Sequence, residues 1–430
     1  MEKKSSRFQG FYNLSINERL KIIKEFSDLN DEDNKLLEFG SGLNPEKANK
    51  MIENVISTYS LPYAIAPNFL INNKDYIIPM VIEEPSVVAA LSLAAKIVRD
   101  NGGFISIYSG SITTGQVQII GVKDLYGAKF EILNNKEKIL QLANERDPVL
   151  VSLGGGAIDL EVKVYEDDKD LGMIIVYLYV DTKDAMGANT VNTMCEGIST
   201  YLEKITKGRV YLRILTNLSD RRIVRTKCKI TKESLSFKNF TGEEVVEGII
   251  KAYKFAKYDT YRAATHNKGI MNGIDAVLIA TGNDWRAEEA ACHSYAARSG
   301  KYQPLTVWEK DENGDLIGTI EIPALVGVIG GAVKSHPLAQ LSLKIMNIKS
   351  VKELAEVIGA VGLGQNLAAL RALSTEGVQR GHMKLHARNI AISAGIPDEY
   401  IDEVVNLMIK EGLIRVDKAI EIFNNLKKSV

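Results

Sequence analysis

Residues 116–122 read QVQIIGV and residues 160–167 read LEVKVYED. Both alternate apolar with polar side chains, the period-2 signature of a strand with one buried face. Working outward, residues 126–145 carry a helical pattern, 172–182 a further strand, 189–206 a helix and 210–216 a last strand. The second and third strands are close enough for a hairpin, and each helix spans a crossover. The order βαβ-βαβ is the split, ferredoxin-like arrangement. Alanine- and glycine-rich helices lie on both sides of it. The unit is therefore expected as an insertion over 110–217, inside a larger helix-rich domain made of 1–109 and 218–376. The expected fold class is α+β.

The 430 residues exceed one ordinary domain, with 45% hydrophobic and 25% charged residues as in other globular chains. A formal net charge of −1 gives no reason to expect nucleic acid or an anionic membrane as partner. The local basic run Arg221, Arg222, Arg225, Lys227 and Lys229 reads as a solvated strand face. Its alternative reading is a docking patch for a phosphorylated small molecule. Three widely spaced cysteines, Cys195, Cys228 and Cys292, suit neither a disulfide framework nor a zinc motif. With no apolar signal-peptide core and no long uninterrupted apolar run, a soluble cytoplasmic protein is expected. Ser15 with Glu18, and Ser350 with Glu353, have capping-box spacing and predict helix starts. Ser86 is placed to cap a helix that Asn101-Gly102-Gly103 stops. The helix from 350 is expected to be long and interrupted, followed by a small helical C-terminal segment, 377–430.

Four polar stretches lie in apolar or glycine-rich surroundings: EEPS (83–86), DAMGANTVNT (184–193), THNKGIMNGIDAVLIATGNDWRAEEA (265–290) and EGVQRGHMKLH (376–386). Charged groups in such a context need partners, because desolvating an unpaired charge is costly. Taken singly, each stretch has a bland reading. Glu84 ahead of a helix is more often a solvated or capping acid than a catalyst. Gly187 opens a helix whose bare amides can hold a phosphate, though a tight turn explains it equally. LGGGA (153–157) lacks G-x-G-x-x-G. His382 and His386 have the spacing of a zinc pair without the intervening glutamate of H-E-x-x-H or an evident third ligand. No metal is expected.

Together, and in this order, the stretches resemble class II 3-hydroxy-3-methylglutaryl-CoA (HMG-CoA) reductases. ENVIS (53–57), LPYAIAPNF (61–69), EEPSVVAA, DTKDAMGANTVNT, RAATHNKGIMNGIDAVLIATGND and EGVQRGHM carry the resemblance over nearly the whole chain. It implies a large substrate domain, an inserted nicotinamide domain and a C-terminal flap. It also implies a homodimer, or a higher homo-oligomer, with the active site at the subunit interface. Implied catalytic residues are Glu84, Lys268, Asp284 and His382. Substrate contacts map to Ser86, Asn217, Arg262, Thr265, Asn272 and Gln365, and cofactor contacts to Asp184, Met186, Gly187, Ala188 and Asn189. Asp147, ahead of the glycine loop, is expected beside the adenosine ribose, which favours NADH over NADPH. Coenzyme A enters as part of the substrate. In this scheme Asp284 keeps Lys268 protonated, and Glu84 acts as an acid from a buried position. Two departures stand out: Ser57 replaces a family glycine, and Tyr12 stands where close relatives have arginine. Rival readings are the same enzyme run as a mevalonate oxidase, a non-catalytic CoA-binding regulator and a zinc hydrolase.

Overall fold

The computed structural model describes residues 4–38, 40, 43–166, 172–375 and 377–428, with only the backbone of 378–385. Its strands are β1 (Tyr63–Ile71), β2 (Lys74–Val81), β3 (Ile105–Tyr108), β4 (Ile112–Ile120) and β5 (Gly156–Tyr165). They continue as β6 (Met173–Asp181), β7 (Arg209–Leu215), β8 (Ile223–Ile230), β9 (Thr306–Lys310) and β10 (Leu316–Pro323). They form a β1-β2 hairpin and two four-stranded sheets, ordered β3-β8-β10-β9 and β5-β6-β4-β7.

The second sheet is antiparallel throughout, and the helices between β4 and β5 and between β6 and β7 supply the crossovers. Its strands start within a few residues of their expected positions; the expected strand end at Asp167 lies outside the described residues. The expected single helix over 126–145 is instead two, Leu125–Asn134 and Lys136–Asn144, joined at Asn135. Alternating side chains of the sheet, among them Val117, Ile119, Leu160, Val162, Val176 and Leu178, share one core with Ile198 and Leu202 of helix Ala188–Thr206. The chain leaves for this unit after Tyr108 and re-enters the other sheet at Ile223. β3 and β8 are paired neighbours there, Tyr108 opposite Val224, so the two crossing points lie side by side.

The largest core joins the β1-β2 hairpin and the β3-β8-β10-β9 sheet to helices Val87–Arg99, Gly242–Tyr258, Thr260–Ala280 and Val351–Ser374. Helix Val351–Ser374 runs unbroken for 24 residues, where an interruption was expected. Glycine costs ~1 kcal/mol against alanine within a helix, but here the glycines are contact points. A Cβ at Gly359 would lie 2.3 Å from Thr226 Oγ1 of β8, and burial on all sides outweighs propensity. This helix is long and apolar enough to cross a membrane by length and composition, yet it is the buried centre of this core. Ser350 caps it by accepting from Glu353 N, while the Glu353 side chain reaches Lys349 N and Lys74. The reciprocal half of that capping box is therefore absent, whereas the Ser15–Glu18 box is complete.

The expected cap at Ser86 also differs. Ser86 occupies the position before helix Val87–Arg99, but at φ 74 its side chain makes no capping bond. Helices Val378–Ser393, Asp398–Glu411 and Val416–Lys428 close the chain around a separate core that includes Ala387, Val404, Val405 and Met408. All three cysteines are free and buried.

Candidate active site

Helix Thr260–Ala280 is started by Asp259, whose carboxylate accepts from Arg262 N at 2.7 Å. Its polar residues divide between two faces. His266 and Asn267 are buried. His266 Nε2 meets Thr306 Oγ1 at 2.7 Å, and Asn267 binds Gln303 O and Leu305 N. Burial, then the nearby Arg262 charge, pushes the His266 pKa down to about 3. These two residues fasten the helix to the segment entering β9. Thr265, Lys268, Asn272 and Asp275 instead follow spacings of three and four, the stripe of one helix face.

On that stripe Lys268 Nζ lies 2.9 Å from Glu84 Oε2, and Asn272 Nδ2 lies 3.4 Å from the same oxygen. Glu84 reaches them from the EEPS turn between β2 and helix Val87–Arg99. The expected burial of Glu84 is not what the single chain shows: its side chain is 43% exposed and that of Lys268 62%. No segment among the described residues covers the pair.

Within the single chain Asp284 makes no hydrogen bond or ion pair with Lys268, the residue it was expected to support. It caps helix Trp285–Ala296, accepting from Arg286 N and Ala287 N, and pairs with the Arg286 guanidinium at 3.0 Å. Arg286 also lies over the Trp285 ring. The helix amides and Arg286 hold the carboxylate at its own turn, and Glu84 takes the place beside the lysine.

Two buried polar atoms near this face have no partner among the described residues: Ser86 Oγ and Gln365 Oε1. A Cβ added to Gly273, beside Asn272, would touch Gln365 Oε1 at 3.1 Å. An unmatched buried acceptor or hydroxyl costs ~1–3 kcal/mol, and such atoms call for an explanation such as a ligand or water. Arg262 is half-buried, which lowers its pKa. The Thr265 hydroxyl donates to Tyr261 O, and Asn217 is exposed just beyond β7. The side chain of His382 lies outside the described residues, and with it both its catalytic role and its metal pairing with His386, which is exposed.

The loop Asp184–Asn189 joins β6 to helix Ala188–Thr206. Gly187 has φ 98, and a Cβ there would lie 2.3 Å from Thr182 Cγ2, so a side chain does not fit. Ala188 and the exposed Asn189 begin the helix, which no side chain caps. Its first amides are thus left for a ligand or water. Asp184 Oδ1 accepts from Val351 N, and the Met186 carbonyl from Thr113 Oγ1. Asp147 opens the short helix Pro148–Ser152 by accepting from Leu150 N, and its other oxygen accepts from Thr190 Oγ1 at 3.0 Å.

Sequence reasoning missed Arg222. Arg225, Lys227 and Lys229 do face solvent, but Arg222 is wholly buried. Strand parity does not flag it, because position 222 precedes β8 and its neighbours Ile223 and Val224 are both buried. Glu288 was missed too. It is wholly buried, and its pKa is pushed up to about 7 by desolvation, which the amide of Leu325 partly offsets.

Solved structures similar to this chain include HMG-CoA reductases. One from Streptococcus pneumoniae aligns with a TM-score of 0.84 at 40% identity, over 98% of this chain and 100% of that one. A class II reductase of the same organism, bound to NADPH in open conformations, aligns at 0.83 and 42% identity over 86% of this chain and 100% of its own. By sequence, the 3-hydroxy-3-methylglutaryl-coenzyme A reductase of Archaeoglobus fulgidus is 55% identical, over 98% of this chain and 95% of its own. The probable enzyme of Borreliella burgdorferi is 35% identical over 97% and 95%. The family model for hydroxymethylglutaryl-coenzyme A reductase matches residues 15–387. The chain belongs to the hydroxymethylglutaryl-coenzyme A reductase family, on its class II side.

Proposed function

We propose that the chain reduces HMG-CoA to mevalonate and free coenzyme A, consuming two NAD(P)H and two protons, on the way to isoprenoids. The observation that carries this reading is the Lys268–Glu84–Asn272 cluster, set on the family's own motif beside two unpartnered buried polar atoms. The nicotinamide cofactor, when bound, supplies the hydrides. Lys268 offers a fixed cation where the thioester carbonyl becomes an oxyanion. Glu84, hydrogen-bonded to it, is placed to hand over the proton that turns the aldehyde into an alcohol. His382 protonates the departing thiolate. Asp284 acts on Lys268 at longer range than contact, by adding negative charge to the site.

The division of the chain follows. The 110–217 unit is a ferredoxin-like cofactor domain: its strand order and its separate core support this. The residues on either side form the substrate domain, and 377–430 the flap. The uncapped helix behind Gly187 suits a phosphate of the dinucleotide. A second copy of the chain would cover the exposed Glu84–Lys268 pair, which supports an active site shared across a homodimer in a soluble, cytoplasmic enzyme. Asp147 favours NADH: each of its oxygens keeps a free lone pair for a ribose hydroxyl, and the carboxylate repels a 2′-phosphate.

The deciding assay follows oxidation of NADH and of NADPH by the purified protein with HMG-CoA. Mevalonate and free thiol should appear in equal amounts, and no turnover at saturating substrate refutes the reading. Asp147→Ala should shift the ratio of kcat/KM values towards NADPH. An unchanged ratio removes Asp147 from cofactor choice.

A further inference from the structure

Arg222 is a buried cation with no carboxylate in contact among the described residues. Instead it donates to six neutral oxygens. Nε reaches Ala324 O at 3.0 Å. Nη1 reaches Thr113 Oγ1 at 3.1 Å, Thr182 Oγ1 at 3.0 Å, Ala185 O at 3.3 Å and Met186 O at 3.1 Å. Nη2 reaches Ala185 O and Val326 O. These acceptors belong to three segments: the start of β4, the stretch Thr182–Gly187 after β6, and the chain just after β10. The planar fork of an arginine can serve three directions at once, which the point charge of a lysine cannot.

The segment after β10 is a strap held from both sides. Its amides alternate with the carbonyls that Arg222 takes: Leu325 N donates to Glu288 Oε2 at 2.6 Å and Gly327 N to Asn283 Oδ1 at 2.8 Å. Val328 N donates to Asp184 O at 2.9 Å, and Ile329 pairs with Ala185 as a parallel bridge. Gly327 passes so close to the loop that a Cβ would lie 2.5 Å from Met186 N. One side of the strap therefore grips the Asn283–Asp284 turn, and the other grips the loop Asp184–Gly187.

We propose that Arg222, acting through the strap 324–329, is a positioning residue that sets the dinucleotide-binding loop in register with the turn carrying Asp284. This rests on the reading of Asp184–Asn189 as the cofactor loop. A residue that only filled the core would, when altered, lower the amount of folded enzyme and leave the affinity of the folded remainder intact. A positioning residue changes affinity for the cofactor in protein that is folded.

The test titrates NADPH by fluorescence and measures steady-state constants for Arg222→Lys, Thr113→Val and Gly187→Ala, with Lys227→Met on the exposed face of β8 as control. Thr113→Val removes one Arg222 partner together with the bond that Thr113 itself gives to the Met186 carbonyl, and is the safer variant if Arg222→Lys folds poorly. Losing charge-assisted bonds should raise the NADPH dissociation constant about tenfold in Arg222→Lys and about threefold in Thr113→Val, with KM for HMG-CoA and the control unchanged. If Gly187→Ala weakens NADPH binding while folded Arg222→Lys and Thr113→Val bind it normally, the positioning role is overturned. If Gly187→Ala itself binds normally, the loop is not the cofactor site, and that reading fails with everything built on it.

Discussion

Lys268 keeps most of its side chain in solvent although it is paired with Glu84. An exposed ion pair is worth ~0–1 kcal/mol, so an arriving carbonyl oxygen can compete for the ammonium at little cost. Lys268→Ala should therefore lower kcat by at least the ~10²–10³ lost with an oxyanion donor, and KM for HMG-CoA much less. Stopped-flow or steady-state rates on a variant with wild-type melting behaviour check this, and near-normal turnover would end the assignment. Lys268 was legible because its motif is long and specific. Its partner was not: expectation placed Asp284 beside it, and the fold placed Glu84 there. A sequence motif names residue types along one chain, but which carboxylate reaches the lysine depends on the turn after β2, almost two hundred positions away. Arg222 was not legible, because it precedes β8 and sits in a run of charges that face solvent.

Helix Trp285–Ala296 concentrates acids: Glu288 faces the strap, while Glu289 is ion-paired with His293 at 2.6 Å and lies against Asp275. Burial, and then Glu289, raises the Asp275 pKa, whereas the His293 contact first of all lowers that of Glu289. Burial takes Glu288 from an ordinary carboxyl pKa of 4.5 up to about 7 on folding. The folded state then binds a proton that the unfolded state has released. The stability this contributes is present in full below about pH 4.5 and is lost as pH rises through about 7, about 3 kcal/mol in all by linkage. Asp275 acts with the same sign and Glu289 with the opposite one. Denaturant midpoints at pH 5 and pH 8 should thus fall with rising pH, and Glu288→Gln should shrink that fall. An equal fall in the variant would show that Glu288 does not titrate in this range. At this scale periodicity served well for the strands, whose alternation survives burial on one face. It served less well for helix Val351–Ser374, where glycines that look like breaks are contacts with β8.

Across the whole molecule the apolar side chains fall into separate cores, and the last three helices own one of them. A segment with its own core can move as a body, and Gly377, at φ 80, lies between helices Val351–Ser374 and Val378–Ser393. Under the proposed function, His382 on the first helix of that body would be brought to the site by closure. That separates the two halves of the reaction. The thiol of coenzyme A, with a pKa near the ~8.5 of a free cysteine, leaves as a thiolate that can re-add to the aldehyde unless it is protonated. A histidine, with an ordinary pKa of ~6.5, is suited to supply that proton near neutral pH. Reduction of free mevaldehyde involves no leaving thiolate. His382→Gln should therefore cut HMG-CoA reduction by ~10²-fold or more, the usual loss of a general acid, and largely spare mevaldehyde reduction. Glu84→Gln should impair both, because both end in protonation of the same oxygen. Steady-state rates with the two substrates decide the matter: equal losses for His382→Gln would mean that it packs the flap and takes no part in the chemistry.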